Sequence, residues 1–410
     1  MNEHREPVSD LDAVKQRVID EVDRRGDMLI EASHQIHARP ELCYEERFAS
    51  DVLASICDEE GLVVERGAYG IETAFVARAG DGEGPTVAVL CEYDARPGIG
   101  HACGHNIIAT AGLGAGLAAA AVAAESGGRI VVIGTPAEEG GGGKILMGDA
   151  GAFEGIDAAL MVHPAGIDCT EIHAIAIATW EVSYRGQAAH AAAFPHRGRN
   201  ALDAAVLGYN AVAALRQHIR PTERIHGVFT EAGDKPNIVP DHAVAQWYVR
   251  SDTIATLQPL KARVLACLEA GAAAAGCTME HRATCPEYSD LRTNAALIDL
   301  YRGNSERVGR TLIDTDLSQA VVGSTDMGNV SYWVPSIHPM IRVSPQNVSI
   351  HSSEFTGYAG GVEGDRAVLD GAKAMAMTVV DLWLRPDAMA TVRAGFDAEM
   401  AVRDGLGREP

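Results

Sequence analysis

The sequence predicts an α/β fold, in which a mixed, largely parallel sheet carries the larger domain and a smaller α+β domain is inserted into it. Three short apolar runs that start at Thr86, Arg129 and Ala158 indicate buried strands, and the Gly/Ala-rich segment 107–125 indicates a helix between the first two. Short apolar strands that alternate with helices are typical of parallel sheets. Segment 179–184 instead alternates like a half-buried strand, which indicates a different architecture in the middle of the chain.

Helices are expected before the first strand. Apolar residues recur at helical spacing over 10–25. A second helix is expected over 28–37. It should end there because Pro40, which breaks helical structure, follows shortly afterwards. A third is expected over 45–60, ending at Gly61.

The central segment predicts the inserted domain. A helix is expected over 200–218, strands over 225–230 and 243–249, and another helix over 254–274. The α/β pattern returns near Leu291. The expected domains are therefore 1–175 together with 290–410, and 176–289 as the insertion.

Composition and charge exclude several classes of partner. The chain has 410 residues, of which 47% are hydrophobic and 22% charged, and its formal net charge is −22. This composition is typical of globular proteins. A strongly acidic surface repels nucleic-acid phosphates and anionic membranes, so we expect neither as a partner.

Segment 1–12 is polar and lacks the apolar stretch of a secretory signal. The uncharged segment 106–124 consists mostly of Ala and Gly, which favours a buried helix over a membrane span. The eight cysteines show no paired spacing and are expected to be reduced. Together these features predict a cytoplasmic protein.

The first chemical signal is the sequence Cys103-Gly-His105. A thiolate and an imidazole separated by one glycine can point at one metal ion if the turn is tight, and this donor pair suits Zn²⁺. On its own the motif is more often structural, so further ligands are required.

The second signal is Glu138-Glu139, which follows a predicted strand and precedes the four glycines 140–143. One carboxylate can bind a metal ion while its neighbour transfers a proton. Glycines allow backbone to approach a ligand closely. The segment is not a phosphate-binding P-loop, because the Gly-Lys-Ser/Thr ending is missing.

Two further histidines complete the set. His163 follows the third predicted strand, and His351 lies in Ser349-Ile-His-Ser-Ser-Glu354. The carboxyl ends of parallel strands meet at one edge of a sheet, where such folds bind ligands. Five candidate ligands exceed the four of a structural zinc site and suffice for two ions.

These motifs extend over nearly the whole chain and, taken in order, are specific. They are Arg39-Pro-Glu-Leu-Cys-Tyr-Glu-Glu46, Glu92-Tyr-Asp-Ala-Arg-Pro-Gly-Ile-Gly-His-Ala-Cys-Gly-His-Asn106, Pro136-Ala-Glu-Glu-Gly140, Val162-His-Pro164, Gly186-Gln-Ala-Ala-His-Ala191, Pro236-Asn-Ile-Val-Pro-Asp241, Gly323-Ser-Thr-Asp-Met-Gly-Asn-Val-Ser331 and His351. The set resembles the M20 metallopeptidases, in the amidohydrolase branch that carries Cys-Gly-His.

The resemblance implies an amide-bond hydrolase with two divalent ions per chain, Zn²⁺ or Mn²⁺, with Co²⁺ as a further candidate. It implies Glu138 as general base and Asp94 as the residue that orients the metal ligands. The metal ligands that it implies are Cys103, His105, Glu139, His163 and His351.

In the inserted domain, the resemblance implies that His190 and Asn237 help to bind the substrate carboxylate or the oxyanion. Arg250 is a candidate to pair with a carboxylate, because a guanidinium binds one through two parallel hydrogen bonds. The resemblance also implies that 1–175 with 290–410 is the catalytic domain and that 176–289 serves as a lid and dimerisation domain in a homodimer.

Two departures concern the substrate. Many members of the branch read Cys-Gly-His-Asp and Asp-Met-Asp, where this chain has Asn106 and Glu92-Tyr-Asp94. They resemble a sub-branch that includes the dipeptidase M20 domain-containing protein 2 and the aminobenzoyl-glutamate hydrolase subunit. The substrate therefore stays open among a dipeptide, one with a basic C-terminal residue included, an N-acyl amino acid and an aminobenzoyl-glutamate-like amide.

Three other readings compete. Cys103 could be a thiol nucleophile with His105 as its base, but this leaves both glutamates without a role. The chain could be a catalytically silent relative with a binding or regulatory role, against which the intact Glu138 argues. A nucleotide-binding oxidoreductase is disfavoured, because Gly112-Leu-Gly-Ala-Gly116 lacks the third glycine at its required spacing.

Overall fold

A computed structural model describes residues 11–315 and 322–406. The chain forms two compact units. One is Ala174–Asp290, and the remainder of the described chain forms the other. The smaller unit starts and ends within two residues of the insertion expected at 176–289.

The helices are α1 Leu11–Arg24, α2 Gly26–Ala38, α3 Arg47–Glu59, α4 His105–Ser126, α5 Gly143–Asp149, α6 Ala201–Leu215, α7 Ile254–Ala275, α8 Ala295–Arg307, α9 Met327–Trp333, α10 Ser353–Ala359, α11 Val362–Leu384 and α12 Pro386–Leu406. The strands are β1 Val63–Arg66, β2 Phe75–Ala79, β3 Thr86–Glu92, β4 Arg129–Thr135, β5 Ala158–Leu160, β6 His163–Ala165, β7 His173–Ala174, β8 Ala176–Arg185, β9 Arg224–Glu231, β10 His242–Ser251, β11 Thr278–Ala283, β12 Val322–Gly323, β13 Ser336–Ile337 and β14 Met340–Arg342.

The larger unit contains a six-stranded sheet in the order β1-β2-β4-β3-β5-β13. Strands β3, β4, β5 and β13 are parallel, whereas β1 and β2 pair antiparallel at one side. The prediction of a mixed, largely parallel α/β sheet is thus confirmed. The chain that follows β3, β4 and β5 emerges at the same edge, where the candidate ligands lie.

Helix α4 fills the centre of this unit, where it contacts α1, α2, α11 and the sheet. Its glycines allow this close packing, because a Cβ atom at Gly112 would lie 2.7 Å from the Leu90 carbonyl oxygen and one at Gly116 would lie 2.2 Å from a Val132 methyl. Among the described helices α4 alone is long and apolar enough to cross a bilayer. Its most apolar window is 83% buried inside the protein, which is the environment of a core helix.

The smaller unit is an α+β layer structure. Its antiparallel sheet has the order β11-β8-β10-β9, and helices α6 and α7 pack against β8 and β10. Alternate residues of β8, among them Trp180, Val182 and Tyr184, are buried in this layer. Strand β11 escapes sequence analysis because it lies at the sheet edge and none of its residues is fully buried, so it lacks the apolar alternation of a half-buried strand.

Candidate metal centre and active site

The five predicted ligands lie where elements of the larger unit begin or end. Cys103 occupies a turn, and His105 is the first residue of α4. Glu139 lies in the turn after β4, His163 is the first residue of β6, and His351 lies in the turn before α10. The structure brings all five together at the carboxyl edge of the parallel strands, as the sheet topology predicts.

Three of these side chains form a fully buried group. The Sγ atom of Cys103 lies 3.3 Å from Nε2 of His163, and His105 offers a ring nitrogen within 4.8 Å of both. The two imidazoles meet edge to face, with ring centroids 6.0 Å apart. The group offers one sulfur and two nitrogen atoms, which is a donor set that suits zinc.

A second group shares the thiol of Cys103. Its Sγ atom also lies 3.3 Å from Nε2 of His351, and that nitrogen lies 3.6 Å from Oε1 of Glu139. Metal–ligand bonds of 2.0–2.3 Å place two tetrahedral ligands about 3.3–3.8 Å apart. The separations in the second group therefore fit ligands of one ion.

Two buried atoms identify where positive charge is needed. His105 Nε2 and Glu139 Oε1 are both buried, and neither has a hydrogen-bond partner among the described residues. A buried polar atom without a partner costs about 1–3 kcal/mol. Both atoms belong to the candidate ligand groups, so a bound cation would satisfy them.

Asp94 connects two of the ligands. One carboxylate oxygen lies 2.9 Å from Nδ1 of His105, and the other accepts a hydrogen bond of 2.9 Å from the backbone N–H of Glu139. With Nδ1–H directed to Asp94, the His105 Nε2 atom is left as the electron-pair donor. The carbonyl of Pro164 does the same for His163, whose Nδ1 lies 2.8 Å away.

Two of the three candidate imidazoles are neutral, and so ready to bind a metal ion, at neutral pH. Burial lowers the pKa of His163 to about 4, and burial together with the charge of Arg96 lowers that of His351 to about 4. Both rings are therefore neutral at pH 7. Burial lowers the pKa of His105, but the carboxylate beside its Nδ1 outweighs burial and raises that pKa well above the usual value, so this ring must lose a proton to bind an ion. Burial raises the pKa of the Cys103 thiol to about 12, so this ligand must lose a proton when it binds an ion.

Glu138 lies beside the ligands. One of its carboxylate oxygens is 3.9 Å from Nε2 of His105, and the side chain is buried. Burial raises its pKa well above the usual value, and the charges of Glu92 and Glu139 raise it further. A carboxylate with a high proton affinity next to a metal group is suited to accept a proton from water and pass it on.

A buried lysine, which sequence analysis does not identify, pairs with carboxylates that lie next to Glu138. Lys144 Nζ lies 2.5 Å from Glu92 and 2.7 Å from Asp326, and all three side chains are fully buried. Glu92, Asp326 and Glu138 also place carboxylate oxygens within 4.8 Å of one another. Lys144 therefore supplies positive charge to a cluster that would otherwise hold only carboxylates.

Unusual backbone conformations accompany the ligands. Ala137 and His351 have positive φ values of 63° and 65°, which non-glycine residues rarely adopt. The backbone N–H of Ala137 is held by a Glu46 carboxylate at 2.9 Å, and that of His351 by the Ala102 carbonyl at 2.8 Å. Strained residues that are anchored in this way are typical of functional sites.

The glycines after Glu139 serve the loop itself. A Cβ atom at Gly143 would lie 1.9 Å from the Pro136 carbonyl oxygen, and one at Gly141 would lie 2.5 Å from the Cys43 sulfur. The loop can therefore fold back on the protein only with glycine at these positions. Their packing against the chain explains them without a ligand.

Sequence analysis assigns no role to two more side chains at the site. Arg96 donates to Glu139 Oε2 at 2.5 Å and lies 3.5 Å from the His351 ring nitrogen. His338 is buried, and its ring packs edge-on against His163 with centroids 5.3 Å apart. Arg96 places a positive charge at the solvent-exposed side of the site. His338 packs against the ring of a candidate ligand.

Asn106, one of the two departures from the common pattern, has a structural contact. Its side-chain amide donates to Ser33 Oγ at 2.9 Å and to the Ala359 carbonyl at 3.0 Å. These bonds tie α4 to α2 and to the end of α10. Asn106 thus helps to hold in place the helix that begins at His105.

The smaller unit carries the other predicted residues. His190 and Asn237 are neighbours, because the Ala191 N–H donates to the Asn237 carbonyl at 3.0 Å, and both side chains are exposed. Arg250 is half-buried near the far end of β10. Eight residues of strand, about 27 Å, separate it from the end of β10 that follows the loop of Asn237.

Comparisons with known proteins identify the family of this chain. Residues 82–380 match the model of peptidase family M20/M25/M40. An Xaa-Arg dipeptidase from Mus musculus is 38% identical over 96% of this chain and 94% of its own length. A p-aminobenzoyl-glutamate hydrolase subunit from Escherichia coli is 35% identical over 63% of this chain and 58% of its own length.

A solved structure shares the fold. A dinuclear metal-binding peptidase from Bacillus subtilis superposes with a TM-score of 0.66 at 19% identity, over 87% of this chain and 99% of the other. The family match extends over most of the chain, and the dipeptidase matches it almost from end to end. The chain is therefore an enzyme of the M20 peptidase family, to which the motifs in its sequence point.

Proposed function

We propose that this chain hydrolyses the amide bond of a dipeptide or an N-acyl amino acid, using two divalent ions and a glutamate general base. The observation that carries the proposal is the shared thiol of Cys103, which belongs to two separate groups of three candidate ligands. Two ions that share a ligand lie close together, and paired-metal hydrolases hold their ions about 3.5–4 Å apart.

The two groups divide the ligands. His105 and His163 would hold one ion with Cys103, and Glu139 and His351 would hold the other. Ions held there would lower the pKa of water to about 7 and polarise the scissile carbonyl. Thiolate and imidazole favour Zn²⁺, while Mn²⁺ and Co²⁺ are candidates because metal supply also decides which ion is bound.

Glu138 moves the proton. Its carboxylate lies beside His105 and is buried, so it can take a proton from the attacking water without competition from bulk solvent. Its raised pKa allows it to keep that proton until the amide nitrogen leaves and then to donate it. Lys144 balances the neighbouring carboxylates during this transfer.

The remaining roles rest on the family resemblance. The larger unit would be the catalytic domain and the smaller unit a lid and dimerisation domain of a cytoplasmic homodimer. His190 and Asn237 would bind the oxyanion or a substrate carboxylate. Arg250 would pair with a carboxylate. The similarity to the mouse dipeptidase makes a dipeptide with C-terminal arginine the first substrate to test.

The thiol reading keeps one favourable observation. Cys103 Sγ lies 3.3 Å from two imidazole nitrogens, as a nucleophile lies near its base. Burial, however, raises its pKa to about 12, whereas a nucleophilic cysteine has a lowered pKa. We therefore assign Cys103 as a ligand.

A pair of glutamine variants tests the proposal. Glu138→Gln should keep the metal content of the wild type and lose turnover by about 10²–10⁴-fold, because proton transfer alone is removed. Glu139→Gln should lose metal as well as activity. Metal content by mass spectrometry and dipeptide hydrolysis are measured on both variants. Full turnover by Glu138→Gln would contradict the general-base role.

A further inference from the structure

Arg96 occupies a fixed position at the mouth of the candidate metal site. It lies in the loop that connects β3 to the Cys103 turn, and its backbone N–H donates to the Gly100 carbonyl at 3.0 Å. The Gly100 N–H donates back to the Arg96 carbonyl at 3.2 Å. These two bonds close the loop and fix the backbone position of Arg96.

The guanidinium is only partly engaged. Its Nη1 atom donates to Glu139 Oε2 at 2.5 Å and approaches the His351 ring nitrogen at 3.5 Å. Within residues 11–315 and 322–406, Nε and Nη2 make no hydrogen bond. A guanidinium has five N–H donors arranged as a planar fork, so its second edge is left to receive a ligand.

Glu139 is suited to hold Arg96 and an ion at the same time. Oε2 accepts from Arg96, whereas Oε1 is buried without a hydrogen-bond partner in the described chain and lies 3.6 Å from Nε2 of His351. Each oxygen thus has its own neighbour. The contact anchors the guanidinium beside the ligand group and leaves the other oxygen to the metal.

Charge selects the ligand that Arg96 would bind. Among the described residues, Arg96 pairs with Glu139, whereas Lys144 is fully buried between Glu92 and Asp326. The Arg96 side chain is 34% exposed and is therefore the one that a dissolved molecule reaches. In a chain with a net charge of −22, an anionic substrate needs such a positive group at the site.

We propose that the free edge of Arg96 binds the carboxylate of the amino acid that forms the leaving side of the amide. The inference rests on the proposed amide hydrolysis and narrows its substrate class. In a dipeptide or an N-acyl amino acid this carboxylate is separated from the scissile nitrogen by a single carbon. Arg96 contacts Glu139, a candidate metal ligand, and therefore lies next to the place where the amide would be cleaved. It would select substrates whose carboxylate is only one carbon away from the scissile nitrogen.

The test separates binding from turnover. Calorimetry measures binding of the dipeptide Ala-Arg and of its C-terminal amide to metal-loaded Glu138→Gln, with and without Arg96→Met. The acid should bind at least about tenfold more weakly after Arg96→Met, because a charge-assisted pair is lost. The amide should bind equally well to both proteins. Arg96→Lys should recover part of the affinity, since it restores charge without the fork.

Kinetics and controls complete the design. In the active enzyme, Arg96→Met should raise KM for the acid, leave that for the amide unchanged and keep the metal content. Arg66→Met removes an exposed arginine on β1 and should change none of these values. Arg250→Met tests the rival carboxylate partner in the smaller unit.

The outcomes are distinct. Equal weakening of acid and amide, or an effect of Arg250→Met in place of Arg96→Met, would overturn the assignment while leaving amide hydrolysis intact. A metal-loaded wild type that hydrolyses neither dipeptides nor N-acyl amino acids would overturn the proposed function itself. Loss of metal in Arg96→Met would show that Arg96 only supports Glu139, which also contradicts the proposal.

Discussion

Asp94 Oδ1 lies 2.9 Å from Nδ1 of His105, and both side chains are fully buried. The other oxygen of Asp94 accepts from the Glu139 N–H, so one carboxylate contacts both a candidate nitrogen ligand and the backbone of a candidate oxygen ligand. Burial disfavours its charge, but the interactions with His105 and the Glu139 N–H outweigh burial and lower the pKa of Asp94. The residue therefore stays ionised between the two candidate ligands.

We expect Asp94→Asn to weaken metal binding by about 10–100-fold while the fold is kept. Asparagine has nearly the same shape, but it has one acceptor oxygen and must present N–H donors to either His105 or the Glu139 backbone. Competition with a chelator of known affinity measures the change. Wild-type metal affinity in this variant would show that Asp94 does not orient the ligands.

Metal uptake is expected to release at least one proton per chain at pH 7. The Cys103 thiol, with a pKa of about 12, is protonated in the metal-free protein and binds as thiolate, whereas His163 and His351, with pKa values of about 4, are already neutral. The apparent affinity should therefore increase with pH, by about tenfold per unit for this one group. Calorimetry in buffers of different ionisation enthalpy counts the protons.

The matched variant is Cys103→Ala, which should release one proton fewer. Uptake without any proton release in the wild type would contradict a Cys103 thiolate ligand. The same release in both proteins would assign the proton to another group. One is His105, where the charge of Asp94 outweighs burial and raises the pKa, and another is Glu139, whose pKa is raised by burial.

Lys144→Met is expected to destabilise the fold by about 3–5 kcal/mol, because Glu92 and Asp326 would stay buried without their cation. Chemical denaturation measures the free energy of unfolding. The exposed pair Arg47–Glu72 provides the control, and Arg47→Met should lower the free energy of unfolding far less than Lys144→Met, because solvent screens an exposed pair. Equal effects of the two variants would contradict a buried, charge-balanced cluster.

Most of the candidate ligands are predictable because they come after a recognisable strand. Parallel strands place the residues after them at one edge of the sheet, so Cys103, Glu139 and His163 converge once the strands are known. The boundaries of the main helices and strands in both units can be predicted from apolar periodicity in the same way. His351 is a candidate by residue type alone, because no neighbouring strand connects it to the others, and the family resemblance supports it.

The supporting residues are not predictable from local pattern. Lys144 and Asp326 are 182 positions apart, and their pairing depends on how α5 and α9 pack. Arg96 lies in a loop whose direction is set by backbone hydrogen bonds that no periodicity reports. Strand β1 is short and largely exposed, so neither apolar content nor alternation indicates it.

The central claim is that two divalent ions act in amide hydrolysis, and metal analysis with reversible chelation tests it most directly. Metal content of the purified protein is measured together with dipeptide hydrolysis before chelation, after chelation and after metal is restored. We predict about two equivalents per chain, with activity that is lost and then regained. Activity that is indifferent to chelation, or a folded protein that binds no metal, would contradict the claim and return Cys103 to the role of nucleophile.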